Sequence, residues 1–122
     1  MAHILLVEDE VLVATLFQAT LEMAGYRVTL ANDGLEGLQA DAQDPADAVV
    51  TDFRMPRMNG GEMLARLRQR RADLPAIIVT GYAGEVDLSA PYTAVVAKPV
   101  SPSELTRRLS LLFEDIATTK EF

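Results

Sequence analysis

The stretch HILLVEDEVLVATLFQATLEMAGYRVTLA, residues 3–31, decides the fold. It opens with a short continuous apolar run, HILLVE over residues 3–8, which has the length of a fully buried strand. Leu12, Leu16, Phe17, Leu21 and Ala24 then recur at helical spacing until Gly25 stops the pattern. Tyr26-Arg27-Val28-Thr29-Leu30-Ala31 alternates as a second strand. Two short strands joined by one helix form a right-handed βαβ crossover with parallel strands.

The same alternation continues outward. Asp33-x-x-Glu36 forms a capping box opening a helix that carries Leu35, Leu38 and Ala42 and closes at Asp44-Pro45. Ala48-Val49-Val50-Thr51 reads as the third strand. Asn59 with Glu62 caps a helix whose Met63, Leu64 and Leu67 form one stripe, ahead of the basic stretch Arg66 to Arg71. Residues 75–80 and 94–97 supply the fourth and fifth strands. Ser101-Pro102-Ser103-Glu104 then starts a last helix with an N-cap, a proline at the first helical position and a glutamate at the third, continued by Leu105, Leu109, Leu112 and Ile116. Five strands alternating with helices predict an α/β protein of the flavodoxin-like, doubly wound class, with a parallel sheet in the order 2-1-3-4-5 and helices on both faces. Between the fourth and fifth strands Gly81, Gly84 and Pro91 leave only Glu85–Ala90 for a helix. It should be short or irregular.

At 122 residues, 49% hydrophobic and 24% charged, residues 1–122 make one domain with a core of its own. No cysteine is present, which removes disulfides, thiolate metal sites and thiol nucleophiles. No signal peptide precedes the first strand and no apolar run reaches membrane length, so the cytoplasm is the expected compartment. A net charge of −7 opposes adhesion to nucleic acid or anionic lipid. A cation or a protein is the expected partner. His3 is read as a packed or half-exposed strand residue without a role, and Met55, Met58 and Met63 as loop and core filler.

In open α/β sheets, ligands bind outside the carboxyl ends of the strands. Those ends carry Glu8-Asp9, then Asp52, Thr80 and Lys98-Pro99. Glu8, Asp9 and Glu10 are three adjacent carboxylates, which repel unless something positive sits among them. Glu8, Asp9 and Asp52 make the hard-oxygen nest that Mg²⁺ takes, and Lys98 can reach in as a point charge. Each residue alone has a plainer reading as a helix cap, a turn acid, a strand threonine or a solvated lysine. Five such accidents on one edge of one sheet are much harder to accept.

With those marks in order, together with Met55-Pro56, Asn59-Gly60 and Thr80-Gly81, the chain resembles a response-regulator receiver domain of two-component signalling along nearly its whole length. The resemblance implies that Asp52 is the phosphoacceptor and Asp9 a direct Mg²⁺ ligand, with Glu8 acting mainly through water and the main-chain carbonyl of Arg54 as a further ligand. Mn²⁺ would substitute. Thr80 would bind a phosphoryl oxygen, Lys98 would pair with Asp52 or its phosphoryl group, and the Lys98-Pro99 peptide would be cis. Such a protein takes its phosphoryl group from a histidine kinase or a histidine phosphotransfer protein. It is no enzyme beyond catalysing its own phosphorylation and dephosphorylation. An aspartate-based phosphohydrolase usually has a second acid where this chain has Arg54, and a flavin or nucleotide module wants a glycine-rich turn where it has Glu8-Asp9-Glu10. A receiver that is never phosphorylated would have lost part of the set.

Many receivers carry Tyr or Phe where this chain has Val95, so a rotating ring in strand five is unavailable. Thr80-Gly81-Tyr82 with no aromatic in strand five resembles an alphaproteobacterial-type receiver subfamily. The expected output is the ordering of a mobile segment from Gly81 to Pro91, with Tyr82 repacking and a target protein reading the face of strand four, helix four and strand five. The chain is further expected to act as a stand-alone receiver without an output domain, a monomer or weak dimer that binds no nucleic acid and no membrane, serving as an effector or a phosphorelay intermediate.

Overall fold

The computed structural model describes residues 1–82, 84, 86 and 90–120, with residues 117–120 described through their backbone alone. Its elements run β1 (His3–Val7), α1 (Val11–Met23), β2 (Arg27–Ala31), α2 (Gly34–Gln43), β3 (Ala48–Asp52), α3 (Gly60–Arg68), β4 (Ala76–Thr80), β5 (Thr93–Ala97) and α4 (Pro102–Lys120). The strands are all parallel, in the order β2-β1-β3-β4-β5. That is the flavodoxin-like arrangement expected from the sequence. The expected helical run Glu85–Ala90 between β4 and β5 lies for the most part outside the described residues. Among the described residues no helix is long and apolar enough to cross a membrane.

Continuous apolar strands follow from burial on both faces, because successive side chains point to opposite sides. Leu5, Val7, Val49 and Ile78 pack under α2 and α3 with Met63, Leu64 and Leu67. Ile4, Leu6, Val50, Ile77 and Val79 pack on the other face with Phe17 and Leu21 of α1 and Leu105 and Leu109 of α4. Met58 and Met63 are core filler as read, and Met55 packs against the first of these clusters. All three side-chain N-caps form: Asp33 accepts from Glu36 N at 2.9 Å, Asn59 from Glu62 N at 2.8 Å and Ser101 from Glu104 N at 3.1 Å.

Two helical stripes differ from their sequence reading. In α1 the buried residues are Ala14, Phe17 and Leu21, while Leu12 is 86% and Leu16 55% exposed and Ala24 lies outside. Leu12 sits about 100° round the helix from the position that shares a face with Phe17 and Leu21. In α2 the buried residues are Gly34, Gly37 and Asp41, and Leu35 and Ala42 face outward. The helix comes so close to the sheet that a Cβ on Gly37 would meet Met63 Sδ at 2.8 Å and Val7 Cγ2 at 3.2 Å. Of the expected apolar stripe only Leu38 packs against the core, and glycine takes the place of the rest.

Polar staples close the loops at the amino ends of the strands. Buried His3 contacts Pro45 O through Nδ1 (3.1 Å) and Thr29 Oγ1 through Nε2 (2.6 Å), and its main-chain N–H donates to Asp47 Oδ2 at 2.7 Å. Asp41 is buried because both its oxygens meet Arg71 Nη2, at 2.6 and 2.5 Å, and its Oδ1 also accepts from Ala46 N. Arg68 donates to Leu74 O, Tyr92 O and Thr93 Oγ1, tying the end of α3 to the starts of β4 and β5.

Candidate functional site

Parallel pairing brings four strand ends to one rim. Val7 is level with Thr51, Asp52 with Val79, and Thr80 with Ala97. The ladder continues one residue past two strands, with Glu8 N donating to Ala31 O at 3.0 Å and Lys98 N to Thr80 O at 2.8 Å. Those bonds fix the backbone from which Glu8 and Lys98 reach inward. The Lys98-Pro99 peptide is cis.

Carboxylate oxygens of Glu8, Asp9 and Asp52 lie within 4.8 Å of one another, Glu8 and Asp52 buried and Asp9 exposed. Lys98 Nζ is 2.7 Å from Asp52 Oδ1. That contact is an ion pair; the same oxygen is buried and has no directed hydrogen bond among the described residues. Burial pushes the Glu8 carboxyl up to about 8, with the neighbouring Asp52 and Asp9 adding to the rise against a hydrogen bond from Glu10 N. Burial by itself would lower the Lys98 ammonium, but Asp52, Glu8 and Glu10 carry it above its ordinary value. Three carboxyl groups facing one ammonium leave an excess of negative charge, with the Asp52 oxygen at the Lys98 contact buried. That donor set fits a hard divalent cation.

Thr80 is buried, and its hydroxyl is engaged by the next turn: Oγ1 accepts from Tyr82 N at 3.1 Å and lies 3.4 Å from Tyr82 O. Tyr82 itself is 66% exposed, with the Arg54 guanidinium 5.0 Å from its ring centroid. Val95, level with Ile78 in the sheet, is half-buried. Of the residues the sequence assigned to the site, Glu8, Asp9, Asp52, Arg54, Thr80, Tyr82, Lys98 and Pro99 stand at this rim, while Val95 lies in the middle of β5.

Three features went unread in the sequence. Glu10 joins Glu8, Val13, Phe17, Lys98 and Val100 around a cleft of about 230 Å³ beside the acids. Arg57, with φ +70°, forms an ion pair with Asp33. Gly60 is so close to β3 that a Cβ there would run into the main-chain oxygen of Asp52. The Asn59-Gly60 pair was visible as a helix start; its contact with Asp52 spans the loop and has no local pattern.

The family model for the response regulator receiver domain matches residues 4–110. The chain is 35% identical over 98% of its length to the uncharacterised transcriptional regulatory protein YkoG of Bacillus subtilis, of which it covers 54%. To the alkaline phosphatase synthesis transcriptional regulatory protein PhoP of the same organism it is 34% identical over 89% of its length, covering 47% of that protein. A CheY-like receiver domain protein from Methanospirillum hungatei superposes with a TM-score of 0.83 at 30% identity, over 97% of this chain and 98% of that one. The chain thus spans about half the length of the curated relatives it matches. The names of those two relatives lend no support to the expectation that nucleic acid is absent from this protein's partners.

Proposed function

This chain belongs to the response regulator receiver family, and on that premise we propose that Asp52 accepts a phosphoryl group, in a metal-dependent step, from a phosphohistidine of a kinase or phosphotransfer protein in the cytoplasm. The observation that carries this reading is the 2.7 Å Lys98–Asp52 ion pair set among three converging carboxylates. One oxygen of the Asp52 carboxylate attacks phosphorus, the bond from phosphorus to the donor's imidazole nitrogen breaks, and its electron pair leaves with the imidazole. Lys98 neutralises charge on the phosphoryl oxygens, and Thr80 turns its hydroxyl to one of them. Glu8, Asp9, Asp52 and the Arg54 carbonyl would hold Mg²⁺, which supplies further charge neutralisation and orientation. No second substrate is turned over. Incubation with Mg²⁺ and a small phosphodonor, read by intact mass, tests the reading; an unchanged mass under conditions that modify a control receiver overturns it.

The charge state of Glu8 gives a second test. A carboxyl held near 8 in the folded protein against an ordinary 4.5 means the folded state binds the extra proton, so metal-free stability falls as pH rises between those values. A cation replaces that proton. The rise in melting temperature on adding Mg²⁺ is therefore expected to be larger at pH 8 than at pH 5.5, as differential scanning fluorimetry would measure. An equal rise at both would remove Glu8 from the metal centre.

For output, Thr80 cannot turn to a phosphoryl oxygen and keep both contacts with the Tyr82 backbone. We propose that phosphorylation releases Tyr82 and that a target protein reads the β4–β5 face around it. Kinship to the subfamily with Thr-Gly-Tyr after strand four rests on Thr80, Gly81, Tyr82 and Val95. Amide exchange with and without beryllofluoride should change at Gly81 and Tyr82; identical exchange there would end this proposal.

A further inference from the structure

The loop of residues 53–59, between β3 and α3, carries Arg54, whose main-chain carbonyl belongs to the proposed metal set. Its ends are pinned by Phe53 N donating to Val79 O at 3.0 Å and Gly60 N to Phe53 O at 2.7 Å. Between those points Arg54, Pro56 and Arg57 are exposed, with the Arg54 guanidinium 5.0 Å from the Tyr82 ring, Met55 packed against the core under α2 and α3, and Met58 and Arg57 meeting the start of α2. Met58 is buried against Gly34, where a Cβ would lie 2.9 Å from Met58 Cβ. Beside it Arg57 Nη2 binds Asp33 Oδ2.

Asp33 thus does two things at once. Its Oδ1 caps α2 and its Oδ2 holds the loop. Arg57 is held at φ +70°, a conformation that a non-glycine residue takes only at a cost, so the surroundings select it. Helix capping alone would be served as well by Asn at position 33, and a left-handed turn would be served better by Gly at position 57. Neither local requirement explains why the pair is an ion pair.

We propose that Asp33 and Arg57 are positioning residues for the metal centre: their ion pair holds the loop, and with it the Arg54 carbonyl, in the arrangement that a divalent ion at Glu8, Asp9 and Asp52 takes up. The proposal rests on the metal-dependent reading of the site. Groups that orient a metal ligand without touching the ion typically change affinity by about tenfold or more. A loop left unclamped must be ordered when the ion binds, and that ordering weakens binding.

Asp33→Asn keeps the cap and removes the charge; Arg57→Gly removes the charge and suits the positive φ. Mg²⁺ and Mn²⁺ titration calorimetry on wild type, both single variants and the double variant separates positioning from structure. Each single variant is expected to bind either ion about tenfold more weakly, with little loss of metal-free melting temperature. The double variant should be no weaker than the worse single, because both changes break one interaction. Arg57→Lys, which retains the charge, should recover part of the affinity. Wild-type affinity in both single variants, or additive losses in the double, overturns the positioning role while leaving the metal centre standing. If wild type itself binds neither ion, the metal-centre reading fails first and this one with it.

Discussion

Replacement of Asp52 by Asn is expected to reduce phosphoryl incorporation from a small phosphodonor below detection while raising the metal-free melting temperature by about 4 °C. The first effect follows from chemistry: an amide has no anionic oxygen to attack phosphorus. The second follows from the crowding of Asp52 with Asp9 and Glu8 within 4.8 Å; burial, with this crowding added, already makes Glu8 hold its proton up to about pH 8 in the metal-free protein. Removing a buried charge from that cluster relieves repulsion. Lys98 loses its partner in the exchange, but its side chain is 44% exposed and resolvates, whereas the Asp52 side chain is 4% exposed. Relief therefore outweighs the loss. Intact mass and thermal melts measure the two halves on one preparation. A variant that still gains a phosphoryl group would move the acceptor elsewhere, and one that melts lower without metal would show that the Lys98 pair is worth more than the repulsion it offsets.

Gly60→Ala is expected to cost about 3 kcal/mol and to disable metal binding together with stability. An added Cβ would press into the main-chain oxygen of Asp52, with Thr51 Cγ2 and Oγ1 also only 3.1 Å away. Neither obstacle is the tip of a flexible side chain, so α3 or the end of β3 has to move, and Asp52 moves with it. The neighbouring Gly61→Ala is the control: it meets the edge of the Phe53 ring at 3.0 Å, which a small rotation relieves. Urea unfolding of the two variants should differ by well over 1 kcal/mol. Equal midpoints would mean that the approach of α3 to β3 is not tight.

The five strands and the order of the sheet were legible because each strand is a short apolar run between turn signals, and the three side-chain helix caps because their spacing is local. The rim was legible for a further reason: the carboxyl ends of parallel strands meet whatever the details of packing, so Glu8, Asp9, Asp52, Thr80 and Lys98 had to converge once the strands were placed. What escaped depends on contacts between distant elements. Leu12 and Leu16 repeat at helical spacing as well as Ala14, Phe17 and Leu21 do, and only the docking of α1 on the sheet decides between faces. Asp41 looks like a surface acid until Arg71, thirty positions on, is seen to cover it. Arg57 has no sequence signal that would pair it with Asp33.

The staples formed by His3, by Asp41 with Arg71, and by Arg68 all stand at the amino ends of the strands, opposite the acids. The two ends of the sheet can therefore drift apart in evolution. Substitutions among Glu8, Asp9, Asp52 and Lys98 can retire the chemistry and leave the fold closed from below. A change at Arg68 or Arg71 does the reverse, loosening the chain while every reactive group remains in place. A descendant that lost the phosphoryl chemistry would still fold, and it would be free to be recruited as a plain binding module.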